Sequence, residues 1–344
     1  MMFAFLAITF ACLALSLGSV EPVDLEERAQ TFVLETKRVV IPGHPFAFNP
    51  SLIRWKGELL LSFRTIPDRK QSFHSLLWLI RLNEQMEPSG EASLLNTRPL
   101  YYPVPSRAED GRLIAVGEQL YFVYADNSEE KVSRGGFRVH LAEVKEKGGR
   151  FYLEGVEPLL DFPGASREFR EKNWVPFVYN QTLLLSYSLD PHRVFLPLIG
   201  TGSCVEIASS VADLGWDWGV LRGGTTALFL EEEGEYLSFF HSSVDLGTVH
   251  SGGKKMSHYF MGAYTFQKDP PFAITRISPE PIVAKGFYSG ESYKPYWKPV
   301  RCVFPCGHIV EGDHIWISYG RQDHECWLVK LDKTALLESL RSIR

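Results

Sequence analysis

The chain has 344 residues, 45% hydrophobic and 22% charged, which excludes a disordered chain, a collagen-like chain and a polytopic membrane protein. Lys and Arg number 36 against 41 Asp and Glu, a net charge of −5, which argues against binding nucleic acid through bulk positive charge. The 13% aromatic residues, with 28 Gly and 21 Pro, suit short strands joined by tight turns, and five Cys are too few for a disulfide scaffold.

Met2 to Leu17 is an unbroken apolar and small-residue run, with no charge before Glu21. With Gly18 and Ser19 suited to cleavage, residues 1–19 are expected to be a secretory signal peptide, although the usual basic start is missing. An uncleaved membrane anchor is the competing reading, for which the run is barely long enough. The expected location is outside the cytoplasm: periplasmic, secreted or in the lumen of the secretory pathway. Export would bring Cys204, Cys302, Cys306 and Cys326 toward an oxidising space. Cys302 and Cys306 cannot pair along an extended strand, because four residues span about 13 Å. Their spacing matches no zinc pattern, so no metal is expected, and burial as small hydrophobes is the expected role for most of them.

A short helical pattern covers Leu25–Thr31, and one domain is expected over residues 30–344. Within it one hairpin recurs five times. Ser51-Leu-Ile leads through Lys56-Gly57-Glu58 into Leu59–Arg64. Arg112-Leu-Ile leads through Val116-Gly117-Glu118 into Leu120–Ala125. Trp174-Val-Pro-Phe leads through Asn180-Gln181 into Leu183–Ser188, and the turn holds an N-glycosylation sequon, Asn180-Gln-Thr182. Thr226-Ala-Leu-Phe leads through Glu233-Gly234-Glu235 into Tyr236–His241. Gly307-His-Ile-Val leads through Glu311-Gly312-Asp313 into Ile315–Gly320. The second strands each carry an aromatic at the fifth place: Phe63, Tyr124, Tyr187, Phe240 and Tyr319. Their ends step by 61, 63, 53 and 79 residues. That leaves room for two more strands per unit, such as Leu76–Arg81 and Phe137–Glu143. The pattern predicts an all-β, five-bladed β-propeller of four-stranded antiparallel blades, with a last helix over Thr334–Ser342. A β-sandwich with coincidental hairpins is the competing architecture.

Polar residues stand at one register in these repeats. Asn49, Glu109-Asp110-Gly-Arg112, Lys172-Asn173, Arg222-Gly-Gly and Cys306-Gly-His308 precede or open the first strands. Arg64, His241 and Arg321-Gln-Asp323 close the second strands. In a propeller the first strands line the central channel, so equivalent ends meet at one mouth and form a pocket. Cations gathered there on an acidic protein suggest one specific anionic ligand. The competing reading, residue by residue, is a structural ion pair, for instance Glu109 with Arg112.

At these residues the sequence resembles glycoside hydrolase family 130, five-bladed propellers that are mostly inverting phosphorylases of β-mannosides, with some hydrolases. Phe48-Asn-Pro-Ser51, Ser62-Phe-Arg64, Glu109-Asp-Gly-Arg112, Lys172-Asn173, Arg222-Gly-Gly-Thr225, His241, Tyr259, Val303-Phe-Pro-Cys-Gly307 and Tyr319-Gly-Arg-Gln-Asp323 follow the family's motifs in order. Gly111 replaces the usual Pro and Arg222 a common Lys, which marks a divergent member. The resemblance implies that Asp110 is the proton donor, directly or through a substrate hydroxyl. It implies that Arg64, Lys172, Arg222, His241 and Tyr259 bind phosphate. Asn49, Arg112, Asn173 and Asp323 would bind the sugar. Trp174 and Tyr179 are candidates for stacking on sugars, with packing between blades as the competing role.

The expected partners are a glycan substrate and inorganic phosphate as co-substrate, with no cofactor, no nucleic acid and no membrane beyond an N-terminal anchor. Phosphorolysis needs one acid and a held anion, whereas inverting hydrolysis needs a second carboxylate to activate water, for which Glu109 and Glu171 are candidates. A filled cation set favours phosphorolysis; an exported location favours hydrolysis. A glycan-binding propeller without activity and a transferase acting on an activated sugar complete the alternatives.

Overall fold

A computed structural model describes residues 22–67, 74–98, 106–127, 136–166, 169–291 and 299–343. The leader expected over residues 1–19 lies outside the described residues. No helix among the described residues is long and apolar enough to cross a membrane.

The first strand, β1 (Val33–Val39), follows a single 3-10 turn at Glu26–Arg28, shorter than the helix expected over Leu25–Thr31. Four sheets then follow in chain order. The first joins β2 (Phe48–Trp55), β3 (Glu58–Thr65), β4 (Leu76–Leu82) and β5 (Pro88–Leu95). The second joins β6 (Glu109–Val116), β7 (Gln119–Asn127), β8 (Phe137–Lys147) and β9 (Arg150–Pro158). The third joins β10 (Val175–Tyr179), β11 (Thr182–Leu189), β12 (His192–Leu198) and β13 (Ser203–Ser210). The fourth holds β14 (Arg222–Gly223), β15 (Leu228–Leu230), β16 (Glu235–Leu246), β17 (Met256–Gln267), β18 (Ile274–Ile277) and β19 (Val300–Arg301).

The fifth sheet joins β20 (Val303–Glu311), β21 (His314–Arg321) and β22 (Glu325–Asp332), and β1 completes it as the outer strand beside β22. The last helix, α1 (Lys333–Ser339), starts where the Asp332 carboxylate accepts from the Ala335 N–H at 2.8 Å. The chain then turns back as β23 (Arg341–Ser342) to pair with β18, so the helix expected to reach Ser342 is cut short by a strand.

Inner strands of successive blades touch around a ring: β2 with β6 and β20, β6 with β10, β10 with β15, and β16, the strand next to β14 and β15, with β20. This is the five-bladed propeller that the repeats predict. Four blades are the four-stranded antiparallel units expected. The fourth departs, with seven strands and one parallel pair between β17 and β19.

Local sequence explains the hairpins. Lys56-Gly57 and Asn180-Gln181 both take positive φ, the geometry of a two-residue turn matched to strand twist. Asn180 of the sequon is exposed in that turn. Between blades, apolar faces interlock: Phe239 of β16 packs in one cluster with Ile317 of β21 and Val329 of β22. Four of the five fifth-place aromatics are at most 1% exposed. They serve packing between sheets.

Candidate active site

Most of the strand ends predicted to converge do so; Cys306, His308 and Arg321 do not reach the common mouth, Arg321 pairing instead with Glu325 at 2.6 Å. Asn49, Asp110 and Asn173 hold the same place in the first three blades and share one unusual backbone state, with φ of 48°, 54° and 65°. Asn and Asp are among the few side chains that accept this left-handed region. A bulge follows at Phe48/Ser51 in β2 and at Glu109/Arg112 in β6. Bulges of this kind re-aim side chains, and here the three polar groups point into the mouth of the channel. The Asn49 amide donates to Asp110 Oδ1 at 2.8 Å.

The cations come from three directions. Arg64 closes β3 and donates to Glu109 Oε1 at 3.2 Å, and its other terminal nitrogen lies 3.8 Å from Asp110 Oδ1. Lys172 Nζ donates to Glu109 Oε2 at 3.4 Å, and Arg170 stands 3.7 Å from Oε1. Burial alone would push the Glu109 carboxyl upward, but Arg64, Lys172 and Arg170 outweigh it and hold the pKa at about 2. Glu109 is therefore a permanent anion inside the cation nest.

The fourth blade supplies the other wall. Register pairs Arg222 of β14 with His241 of β16. The His241 ring lies nearly parallel to Tyr259, 6.1 Å between centroids, and 4.4 Å from Phe304. Burial, reinforced by Arg112, Lys172 and Arg222, lowers the His241 pKa well below the usual range. It is a neutral imidazole whose Nδ1 has no partner among the described residues. Burial also raises the Tyr259 phenol to about 12. Asp323 follows β21 with φ of 56°. Burial lifts its carboxyl to about 6, against the pull of Arg64.

Together these residues enclose a cleft of about 360 Å³. Its wall contains Asn49, Arg64, Asp110, Lys172, Asn173, Arg222, His241, Tyr259 and Asp323, nine of the ten residues that the sequence nominates. The tenth, Arg112, is not in the wall. Its guanidinium is 2% exposed and donates to the carbonyls of Asp110 (2.8 Å), Gly223 (3.2 Å) and Gly224, and to Asn173 Oδ1 (3.3 Å). It is a strut beneath the cleft that ties the second, third and fourth blades together. The supposed Glu109–Arg112 pair does not form; Glu109 turns the other way.

Three further expectations move. Glu171 is 4% exposed and outside the cleft wall, with burial raising its pKa, so it is not placed to activate a water there. Trp174 is enclosed by Phe162, Tyr187 and Phe195, and Tyr179 packs on Phe272. Both serve packing. Conversely, the cleft wall includes Glu109, Arg170, Val300, Cys302 and Phe304, and neither Arg170 nor Phe304 was singled out from the sequence. The signal for Arg170 was present: in Arg170-Glu-Lys172 an extended chain puts alternate residues on one side. Cys204, Cys302, Cys306 and Cys326 are buried free thiols.

Chemically, the cleft sets one amide-held carboxyl, Asp110, beside a nest of four cations with a fixed internal anion. A neutral imidazole and a phenol complete the polar wall.

The profile of glycoside hydrolase family 130, described as β-1,4-mannooligosaccharide phosphorylase, matches residues 19–342. A search of curated proteins returns no match. Among solved structures, the chain is similar to a putative glycoside hydrolase from Parabacteroides distasonis, with 14% identity, TM-score 0.59, and 91% of this chain and 96% of that one covered. It is similar to a mannose phosphorylase from Leishmania mexicana in complex with phosphate, with 13% identity, TM-score 0.59, and coverage of 89% and 90%. It is also similar to a β-1,2-mannobiose phosphorylase from Listeria innocua, with 15% identity, TM-score 0.55, and coverage of 91% and 95%. These likenesses carry the fold, and the profile spanning nearly the whole chain carries the family. The protein belongs to glycoside hydrolase family 130 and is a carbohydrate-active enzyme of the glycoside phosphorylase and hydrolase type.

Proposed function

We propose that the protein cleaves a β-mannoside by inverting transfer to inorganic phosphate. Asp110 gives its proton to the glycosidic oxygen as the bond from that oxygen to the anomeric carbon breaks. A phosphate oxygen attacks the same carbon from the opposite face, giving an α-sugar phosphate and a shortened glycan. Arg64, Lys172 and Arg222 hold the phosphate by charge, with His241 and Tyr259 as neutral partners. Asn49, Asn173 and Asp323 hold the sugar at which inversion occurs.

The observation that carries this reading is the cation nest beside a single amide-held acid, Asp110. Phosphate brings its own negative charge, so no protein base is needed, and neutralising that charge is the main demand on the site. The description of the family profile and the mannose specificity of the Leishmania and Listeria phosphorylases support a mannoside as substrate.

Hydrolysis is the second reading, favoured by a specific observation. Asp323 is a further carboxyl in the cleft wall, and its pKa of about 6 suits a base that works near neutrality. The two readings separate in one assay. Purified protein is incubated with β-1,2- and β-1,4-mannobiose, with and without phosphate, and mannose 1-phosphate and free mannose are measured. Release that requires phosphate and yields the sugar phosphate supports phosphorolysis, and release indifferent to phosphate sinks it. Asp110→Asn is expected to lower kcat at least about a hundredfold; unchanged turnover would remove Asp110 from the mechanism.

We propose as well that the apolar leader directs the chain out of the cytoplasm. Sequencing the N-terminus of protein recovered from the exported fraction tests this, and recovery only from cytoplasm with an intact leader would refute it.

A further inference from the structure

The turn that brings Asp323 into the cleft wall has two consecutive residues, Gln322 and Asp323, at φ of 54° and 56°. Residues other than Gly keep such a backbone where the surroundings over-determine it. The Gln322 side chain, 1% exposed, accepts from the Cys302 N–H at 2.8 Å and donates to the Tyr288 carbonyl at 3.3 Å. Its own N–H donates to the Cys302 carbonyl at 2.9 Å. Arg321, one residue earlier, donates to the Gly286 carbonyl at 2.6 Å. Both residues that precede Asp323 are thus tied to one loop, residues 286–289.

That loop is held in turn from the start of the chain. Glu26, in the 3-10 turn before β1, accepts at 2.8 Å from three of its backbone N–H groups: Gly286 at Oε2, and Tyr288 and Ser289 at Oε1. The peptide between Tyr288 and Ser289 is therefore gripped on both sides. Its N–H meets the Glu26 carboxylate, and its carbonyl meets Gln322 and, at 3.1 Å, the Arg301 guanidinium. Hydrogen bonds that run through one peptide to charged groups polarise and strengthen one another. The Tyr288 side chain is fully buried, and its hydroxyl donates to the Tyr259 carbonyl at 3.1 Å, so the same residue supports the strand that carries the phenol of the cleft. Glu26 itself is well seated: Leu25 beside it is 3% exposed in the core, and Asp24 pairs with His250 at 2.9 Å.

We propose that Glu26 is a positioning residue for the cleft: through the Tyr288–Ser289 peptide it fixes Gln322, and with it the turn that presents Asp323 to the substrate. The consequence for substrate rests on the reading of Asp323 as a sugar-binding residue of a glycan-cleaving enzyme. The segment that follows the leader is then part of the working site, although it touches no residue of the cleft wall directly in this relay. The competing role for Glu26 is to tie down the start of the chain and nothing more.

The test compares wild type with Glu26→Ala and with Glu26→Gln, which keeps one acceptor oxygen, and uses thermal melting to verify folding. Amide hydrogen exchange reads the turn directly. In Glu26→Ala the N–H groups of Cys302 and Gln322 are expected to exchange about tenfold faster or more, with those of β3 in the first blade unchanged. Kinetics with β-mannobiose and phosphate read the consequence. KM for mannobiose is expected to rise about fivefold or more in Glu26→Ala and by less in Glu26→Gln. KM for phosphate should change little, since Arg64 and Lys172 belong to other blades. A purely anchoring role would lower the melting temperature and leave exchange at the turn and both KM values as in wild type. Unchanged exchange, or an unchanged KM for mannobiose, in a folded variant overturns the proposal. Should Glu26→Ala not fold, Glu26→Gln carries the same comparison. If wild type cleaves no mannoside, the proposed activity fails, and exchange alone decides whether Glu26 sets the turn.

Discussion

Glu109 shows how one carboxylate organises a site at the scale of a residue. It is held by Arg64, Lys172 and Arg170, so these cations stay in place without a ligand. Its pKa of about 2 lies below the ordinary 4.5. The stability it contributes is therefore present above about pH 4.5 and is lost as pH falls toward 2. Glu109→Gln should show a smaller drop in melting temperature across that window than wild type does. At neutral pH the same variant leaves buried Arg64 with only the longer contact to Asp110, at 3.8 Å, to balance its charge, a cost on the order of 3 kcal/mol. Added phosphate should restore more melting temperature in Glu109→Gln than it adds to wild type; equal shifts in the two proteins would mean that the nest does not receive phosphate. The residue types at the mouth were legible from the sequence. Their pairing was not, because Glu109 could reach a cation on either side of its strand, and only the bulge after it decides which.

At the scale of elements, the matched strands carry more than the aromatic that marks them. Ser62, Ser186 and Ser318, one place before that aromatic, and Ser238, two places before it, are at most 1% exposed. Ser318 Oγ accepts from Leu52 N–H at 2.9 Å and donates to the Pro50 carbonyl at 2.7 Å, tying the fifth blade to the first beside Asn49. Close approach at that seam also requires Gly320, where an added Cβ would sit 2.0 Å from Asn49 Oδ1. Gly320→Ala is expected to displace Asn49 and loosen its bond to Asp110. Overpacking of this kind costs about 1–3 kcal/mol, and kcat should fall about tenfold, measured beside a thermal melt. Wild-type turnover in a stable Gly320→Ala would show that Asn49 does not position the acid. Repetition made the hairpins readable, since period-2 apolar alternation and turn residues act locally. The seven-stranded fourth blade was not readable, because β14, β19 and β23 are two-residue strands that exist only where a neighbour pairs with them.

At the scale of the whole molecule, the ring closes through chain ends that are far apart in sequence. β1 pairs along β22 from Val33 to Val39, so the last blade borrows its outer strand from the start of the domain. Removing residues 22–39 should expose the β22 edge, lower the melting temperature and split the single calorimetric transition. An unchanged single transition would mean that the ring holds without β1. Closure also explains the charge. A net −5 is spread over the surface, while one mouth gathers Arg64, Arg170, Lys172 and Arg222 from three blades. The sequence by itself determined the blade number, the hairpins and nine of the fourteen residues of the cleft wall, because turn chemistry and strand alternation are short-range and repeat faithfully. Only the tertiary structure decided that Arg112 is a strut, that Glu109 is the internal anion of the nest, and that Trp174 is packed away. Those roles depend on the direction and burial of side chains meeting across blades, which no local pattern encodes.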